Sequence, residues 1–272
     1  MKNRIGIISQ NKKLLNQKIM EYALSELHEK VNRIVLDDEN MNTNKDYCIN
    51  PLDIVCLSFD EPDLVYSLQF DFIAELIEMI IKDNLAAYQK SILDKILKDL
   101  YRPYFEHLNK NSLHIDYSKV PVLTDLYNCL KESELDIDCS NFEYYINNPL
   151  FNGHTNISID DITKVNYSSS IEALIGIHFA FNCIKLNYNE NIRTEFIISN
   201  LHPDFCGYYF TMIYKRLRPL GCSSVIGISD ETFLKSEDCK IILNLTNEIY
   251  AEDVSHDCQT FLDEYVIDYK KF

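Results

Sequence analysis

The sequence predicts an α/β fold: a mainly parallel sheet interrupted by a helical insertion. Three observations carry this. Strand, helix and strand signals follow one another within the first 36 residues, the pattern of a βαβ unit whose strands lie parallel. Residues 60–150 then show helical periodicity with no convincing strand. Short apolar runs return after Gly153, interleaved with helical stretches. The expected organisation is an α/β domain from residues 1–59 and 151–272, with a helical subdomain over 60–150.

Arg4–Ser9 is a short apolar run bounded by polar residues, which reads as a buried strand. A helix is expected from Lys12 to Glu29, because Leu15, Ile19, Ala23 and Leu27 recur every four residues. Arg33–Leu36 is the next strand and runs into Asp37-Asp38-Glu39. After the polar stretch 40–46 and Cys48-Ile49-Asn50-Pro51-Leu52-Asp53-Ile54 the period changes. Ile73, Leu76, Ile77 and Ile80 mark one amphipathic helix. Ile92, Leu93, Ile96, Leu97 and Leu100 mark a second, closed by Arg102-Pro103. Thr124–Lys131 is expected as a third, with Thr124 as its N-cap, and Asn141–Asn147 as a fourth. Thr155–Ile159 and Ile162–Tyr167 suggest a hairpin. Ser170–Leu186 is apolar nearly all round and reads as a buried helix. Glu195–Ile198 is expected as a strand, Phe205–Leu217 as a helix stopped by Pro219 and Gly221, and Val225–Ile228 and Ile241–Leu245 as two more strands.

Composition narrows the function. Only 6 of 272 residues are glycine, and only Gly6 falls in the first 150, so no intact glycine-rich phosphate loop fits that half. The net charge of −16 argues against a nucleic-acid binder, although residues 1–33 hold a local excess of four positive charges. The 18 tyrosines have no basic surround of the kind single-stranded nucleic acid requires. Nine cysteines without a C-x-x-C pair fit reduced thiols in a cytoplasmic core and no zinc site. The opening apolar run is too short for a signal peptide, and no run reaches the length of a membrane span.

The first strand and its turn read Gly6-Ile-Ile-Ser-Gln-Asn-Lys-Lys. A phosphate loop there needs G-x-x-x-x-G-K-[ST]: glycines that bring backbone N–H groups to phosphate, a lysine for the β/γ-phosphates and a hydroxyl for Mg²⁺. Gly6 and Lys12 stand where the first glycine and the lysine would be, while Asn11 and Lys13 replace the second glycine and the hydroxyl. His178, inside Ile177-His178-Phe179, is expected as a core histidine. Asp37, Asp38 and Glu39 lie at a strand's carboxyl end, where open α/β sheets place ligands, but a solvated or capping role is favoured.

Several segments in shared order add weight. They are Ile49-Asn50-Pro51-Leu52-Asp53-Ile54; Lys90–Lys95 with Leu100-Tyr101; Val120-Pro121-Val122-Leu123-Thr124-Asp125-Leu126-Tyr127; Leu150-Phe151-Asn152-Gly153-His154-Thr155-Asn156-Ile157; and Tyr214–Gly221 followed by a strand and Ile228-Ser229-Asp230. With these the chain resembles the P-loop ATPases of conjugative transfer and type IV secretion, the VirB/TraE kind, over roughly residues 5–250. The resemblance implies a P-loop NTPase (RecA-like) sheet with a helical insertion after the second strand. It also implies that the family's amino-terminal region is absent and that the chain stops earlier than family members do.

The departures bear on activity. Where the family has a strand ending in Asp-Glu, the Mg²⁺ and water-activating acids, this chain has Phe196-Ile197-Ile198-Ser199-Asn200. Where the family has Thr-Gln-Asn, Ser229-Asp230-Glu231 stand instead, two carboxylates that would repel a γ-phosphate. The resemblance thus implies a degenerate nucleotide site at Gly6, Asn11, Lys12, Lys13, Ser199, Asn200, Asp230 and Glu231, with His202 near the same cleft. It offers Arg216 and Arg218 as candidates for a finger acting on a neighbouring subunit. Lys12 or Lys13 is expected to pair with Asp230 or Glu231 and close the cleft. The expected function is a pseudo-ATPase, working at the cytoplasmic side through protein partners such as a secretion ATPase or further copies of itself. No ATP or Mg²⁺ requirement, metal or direct nucleic-acid contact is expected. The alternatives are a weak nucleotide-binding ATPase of conjugative DNA transfer, or a relative in fold alone that serves as a soluble interaction module.

Overall fold

The computed structural model describes residues 4–25, 31–37, 47–56, 61–111, 119–156, 162–203, 207–265 and 269–271. The chain divides into two compact units, one built from Met1–Met41 and Ile159–Phe272, the other from Asn42–Ser158. The helical unit therefore begins earlier and ends later than residues 60–150, and takes in the Asn50-Pro51 segment.

The first unit is a seven-stranded sheet in which every pairing is parallel, in the order β3-β2-β4-β5-β1-β6-β7. Its strands are β1 (Arg4–Ile8), β2 (Val31–Asp37), β3 (Ile162–Asn166), β4 (Arg193–Ile198), β5 (Ser223–Ile228), β6 (Glu248–Ala251) and β7 (Tyr269–Lys271). Central strands covered on both faces need continuous apolar runs, and β1, β4 and β5 are buried almost throughout. On one face α1 (Lys12–Ser25) packs Leu15 and Ile19 against Ile5, Ile7, Ile197 and Val225. On the other lies the long helix of Ser170–Asn189, buried from Ala173 to Lys185 and capped by Ser169, whose hydroxyl accepts from the Glu172 N–H (3.2 Å).

The second unit contributes α2 (Pro62–Ile81), α3 (Ala87–Asn111), α4 (Leu123–Glu132) and α5 (Phe142–Ile146). The Ser170–Asn189 helix is thus α6. It is followed by α7 (Tyr208–Leu217), α8 (Glu231–Leu234), α9 (Glu237–Leu245) and α10 (His256–Tyr265). Among the described residues no helix is long and apolar enough to cross a membrane.

Four local expectations are corrected. Helix α3 runs through Pro103 instead of stopping there. The buried Tyr101 and Tyr104 on either side hold it, donating to the carbonyls of Leu52 and Ile54 (2.7 Å each). Thr124 is not an N-cap. Helix α4 is capped at Val122, whose N–H donates to the Asp125 carboxylate (2.9 Å). The Ile162–Tyr167 run is not described as a hairpin arm: β3 pairs parallel with β2 at the sheet edge, and residues 157–161 lie outside those described. Ile241–Leu245 is the end of α9, not a strand. Ser236 caps that helix, Glu237 and Asp238 fill its first turn, and Cys239, Ile242 and Leu243 bury one face. The strand comes later, as β6. The expected residues 26–29 of the first helix also lie outside the described set.

Candidate functional site

The carboxyl ends of the parallel strands collect most of the residues singled out from the sequence. Gly6, however, lies inside β1, paired with Ile226 and Ile249, and does not open a loop. A Cβ built there would meet only side chains at 3.7–3.9 Å, ordinary contact distances. The turn from β1 to α1 comprises Ser9, Gln10 and Asn11. Its backbone groups have local partners. Ser9 N–H donates to Ile228 O (3.1 Å), and Asn11 N–H donates to Ser9 Oγ (3.2 Å). The Asn11 side chain accepts from Leu14 N–H (3.2 Å), acting as the N-cap of α1. Lys12 and Lys13 occupy the exposed first positions of that helix.

Strand β4 delivers Ser199 and Asn200, both buried. Ser199 N–H extends the ladder to Leu36 O (2.9 Å), and its hydroxyl donates to Asp37 Oδ1 (3.2 Å). Asp37 in turn holds Lys164 Nζ at 2.5 Å. The Asn200 Oδ1 accepts from the N–H (3.1 Å) and hydroxyl (2.8 Å) of Ser229, while the Asn200 carbonyl accepts from Tyr167 OH (2.9 Å). One hydrogen-bonded layer therefore covers the ends of β3, β2, β4 and β5. Beneath it Leu201 N–H donates to Gly227 O (2.7 Å). A Cβ on Gly227 would lie 2.2 Å from Ser199 O, so this crossing of the segment after β4 over the end of β5 demands glycine.

Asp230 and Glu231 each accept backbone hydrogen bonds at a helix start. Asp230 caps α8, accepting from the N–H groups of Thr232 (2.8 Å) and Phe233 (3.3 Å). Glu231 accepts from the N–H of Ser255 (2.7 Å) and from its hydroxyl, anchoring the start of α10. The two carboxylates expected to pair with Lys12 or Lys13 thus serve as caps. Helix starts offer unpaired N–H groups, and a carboxylate beside one gains by accepting from them.

Arg216 sits in the last turn of α7 and Arg218 just beyond it, at the amino-terminal edge of the sheet, the end opposite Ser199 and Asn200. His202 is exposed, two residues past Asn200. His178 is the core histidine expected: buried, with Nδ1 2.5 Å from Tyr209 OH and Nε2 3.2 Å from Asn182 Nδ2. Sequence reasoning missed Lys164 and Tyr167 as members of the strand-end layer. Tyr167 closes the Ile162–Tyr167 run and Lys164 lies inside it, and neither position by itself signals a site. Arg4 was also missed, because it opens the first buried strand.

No family model and no curated protein matches the sequence. Among solved structures, VirB4 of Thermoanaerobacter pseudethanolicus matches with a TM-score of 0.67 and 16% identity, covering 96% of this chain and 80% of that one. The bacterial conjugative coupling protein TrwBdeltaN70, a trigonal form in complex with sulphate, matches with a TM-score of 0.42 and 11% identity, covering 96% and 68%. The chain is similar to VirB4 in fold: a P-loop NTPase-like α/β sheet.

Proposed function

We propose that this chain is a catalytically degenerate, pseudo-ATPase version of a type IV secretion ATPase domain, acting through protein partners. The observation that carries the reading is the end of β4, where the neutral side chains of Ser199 and Asn200 stand in place of an acidic pair. Asn200, where a water-activating carboxylate would stand, spends its side-chain oxygen on Ser229. A neutral amide takes up no proton, so it supplies neither general-base chemistry nor a charge for a metal shell.

ATP and Mg²⁺ are the ligands this fold implies, and the residues do not fit them. A phosphate loop wraps its anion with free N–H groups over a glycine-bearing turn. Here the turn is three residues long and lacks glycine, and the α1 N–H of Leu14 is already taken by Asn11. The position of the metal-binding hydroxyl is Lys13. The partners that suit such a domain are a secretion ATPase of the same fold or further copies of this chain, at the cytoplasmic side.

A second reading, weak nucleotide binding, is favoured by Lys12 at the first position of α1 and by Asp37, a carboxylate retained at the end of β2. A steady-state turnover assay with Mg-ATP separates the two. Losing water activation and metal positioning together costs several powers of ten in rate, each worth about 1.4 kcal/mol. Turnover is expected to be indistinguishable from a buffer blank and unchanged by Lys12→Ala. Turnover near about one per second, abolished by Lys12→Ala, would overturn the proposal.

A further inference from the structure

At the opposite edge of the sheet, where the strands begin, lies a cavity of about 570 Å³ floored by Arg4 and rimmed by Lys215, Arg218, Asn244 and Asn247. The geometry points to a binding site for a phosphate-class oxyanion here, an assignment that does not depend on the reading of the strand ends above.

Arg4 is 4% exposed. A guanidinium so deeply buried is ordinarily matched by a carboxylate. Arg4 has none among the described residues. Its Nη2 donates to the Tyr214 carbonyl (2.8 Å) and its Nη1 to the Leu245 carbonyl (3.4 Å), near the carboxyl ends of α7 and α9. Its buried Nε has no hydrogen-bond partner. These contacts leave the charge without a carboxylate and the buried Nε–H without an acceptor. The Tyr214 ring lies 4.7 Å under the guanidinium carbon and fixes its plane. The direction of its pKa agrees: burial pushes it down, and Arg218 adds to the fall.

The rim repeats the same charge. Lys215 and Arg218 are exposed, and neither makes an ion pair among the described residues. No residue lining the cavity is acidic, in a chain whose net charge is −16. Asn247 is oriented by Arg4, whose backbone N–H donates to its Oδ1 (3.1 Å), so its amide NH₂ is left as a donor at the rim. Three cations and an oriented amide donor without a carboxylate suit a dianion with several acceptor oxygens better than a single carboxylate. Inorganic phosphate and a phosphate monoester on a small molecule share this chemistry of recognition.

The test is titration of the full chain with inorganic phosphate, followed by calorimetry and by thermal unfolding, with chloride at matched ionic strength as control. Glycerol 3-phosphate forms a second arm and distinguishes a monoester from the free ion. Wild type is expected to show saturable binding and a rise in midpoint that chloride does not reproduce. Lys215→Gln and Arg218→Gln alter exposed side chains, and each is expected to weaken binding by about tenfold or more while folding normally. Arg4→Gln should abolish binding, but the rim variants decide the matter if that buried substitution prevents folding. Lys98→Gln, at an exposed lysine of the helical unit, should leave phosphate affinity unchanged. Absence of saturable binding by wild type, or affinity unmoved by both rim substitutions, would overturn the assignment.

Discussion

Asn50 in the helical unit and Asn200 in the sheet unit are both buried asparagines, yet they do different work. The Asn50 amide donates to the Asp53 carboxylate (3.1 Å) and the Pro121 carbonyl (2.9 Å), and its Oδ1 accepts from Leu52 N–H (3.0 Å). Its own N–H donates to Thr155 Oγ1 (2.8 Å). A second knot is tied by Asn152, which accepts from Thr124 N–H (3.1 Å) and donates to the Thr124 hydroxyl (2.7 Å). Segments far apart in sequence therefore converge on backbone groups that have few other ways of being satisfied. Asn200 instead joins a layer over the strand ends, accepting from Ser229 and Tyr167. The lesson is that a buried asparagine in the helical unit ties distant segments together, whereas the one in the sheet unit closes the strand ends.

Substitutions at both places sharpen this contrast. The largest effect is expected in the sheet unit from Gly227→Ala. The new methyl would lie 2.2 Å from Ser199 O and 2.6 Å from Ile19 Cδ1, and the first of these is backbone. A loss of about 4 kcal/mol or more is expected by urea unfolding. A loss below about 1 kcal/mol would mean that β4 and β5 can separate at this crossing without cost.

Asn50→Ala should come next, at about 3 kcal/mol, because it strands a buried N–H and a buried carbonyl at once. Asn50→Asp tests the same knot: it keeps the acceptor for Leu52 but sets a second carboxylate beside Asp53. If Asn50→Ala unfolds like wild type, the segment is not the tie described.

A pH dependence follows from Asp53. Burial pushes its carboxyl up to about 6 from an ordinary 3.8, against the opposing hydrogen bonds of Thr155 and Asn50 and the charge of His154. A carboxyl whose folded value is raised contributes stability that is complete below the unfolded value and is lost as pH rises through the folded one. The stability of wild type relative to Asp53→Asn should therefore fall by up to about 3 kcal/mol between about pH 4 and pH 7. A difference that stays level across that range would place Asp53 in a solvated setting.

The parallel sheet and the helical block were legible because each rests on a long-range pattern. The βαβ opening forces parallel strands, and the four-residue repeat of Leu15 and Ile19 picks out the face of α1 that meets the sheet. Short apolar runs were not legible by themselves. Ile241–Leu245 suits either a strand or a helix, and its cap at Ser236 decides the outcome. At the site, Ser199, Asn200, Asp230 and Glu231 could be located by order along the chain. Their partners could not. Glu231 meets Ser255 and Ser199 meets Asp37 through contacts that only the folded sheet creates. Arg4 was hidden for the opposite reason, since a single cation inside a buried strand carries no periodic signal.

The measurement that bears most directly on the central claim is calorimetric titration of the full chain with Mg-ATP, alongside Lys12→Ala. With no glycine in the β1–α1 turn and no carboxylate at Ser199 or Asn200, the account predicts no saturable heat that depends on Lys12. Stoichiometric, Mg²⁺-dependent binding at micromolar concentration that Lys12→Ala removes would contradict it.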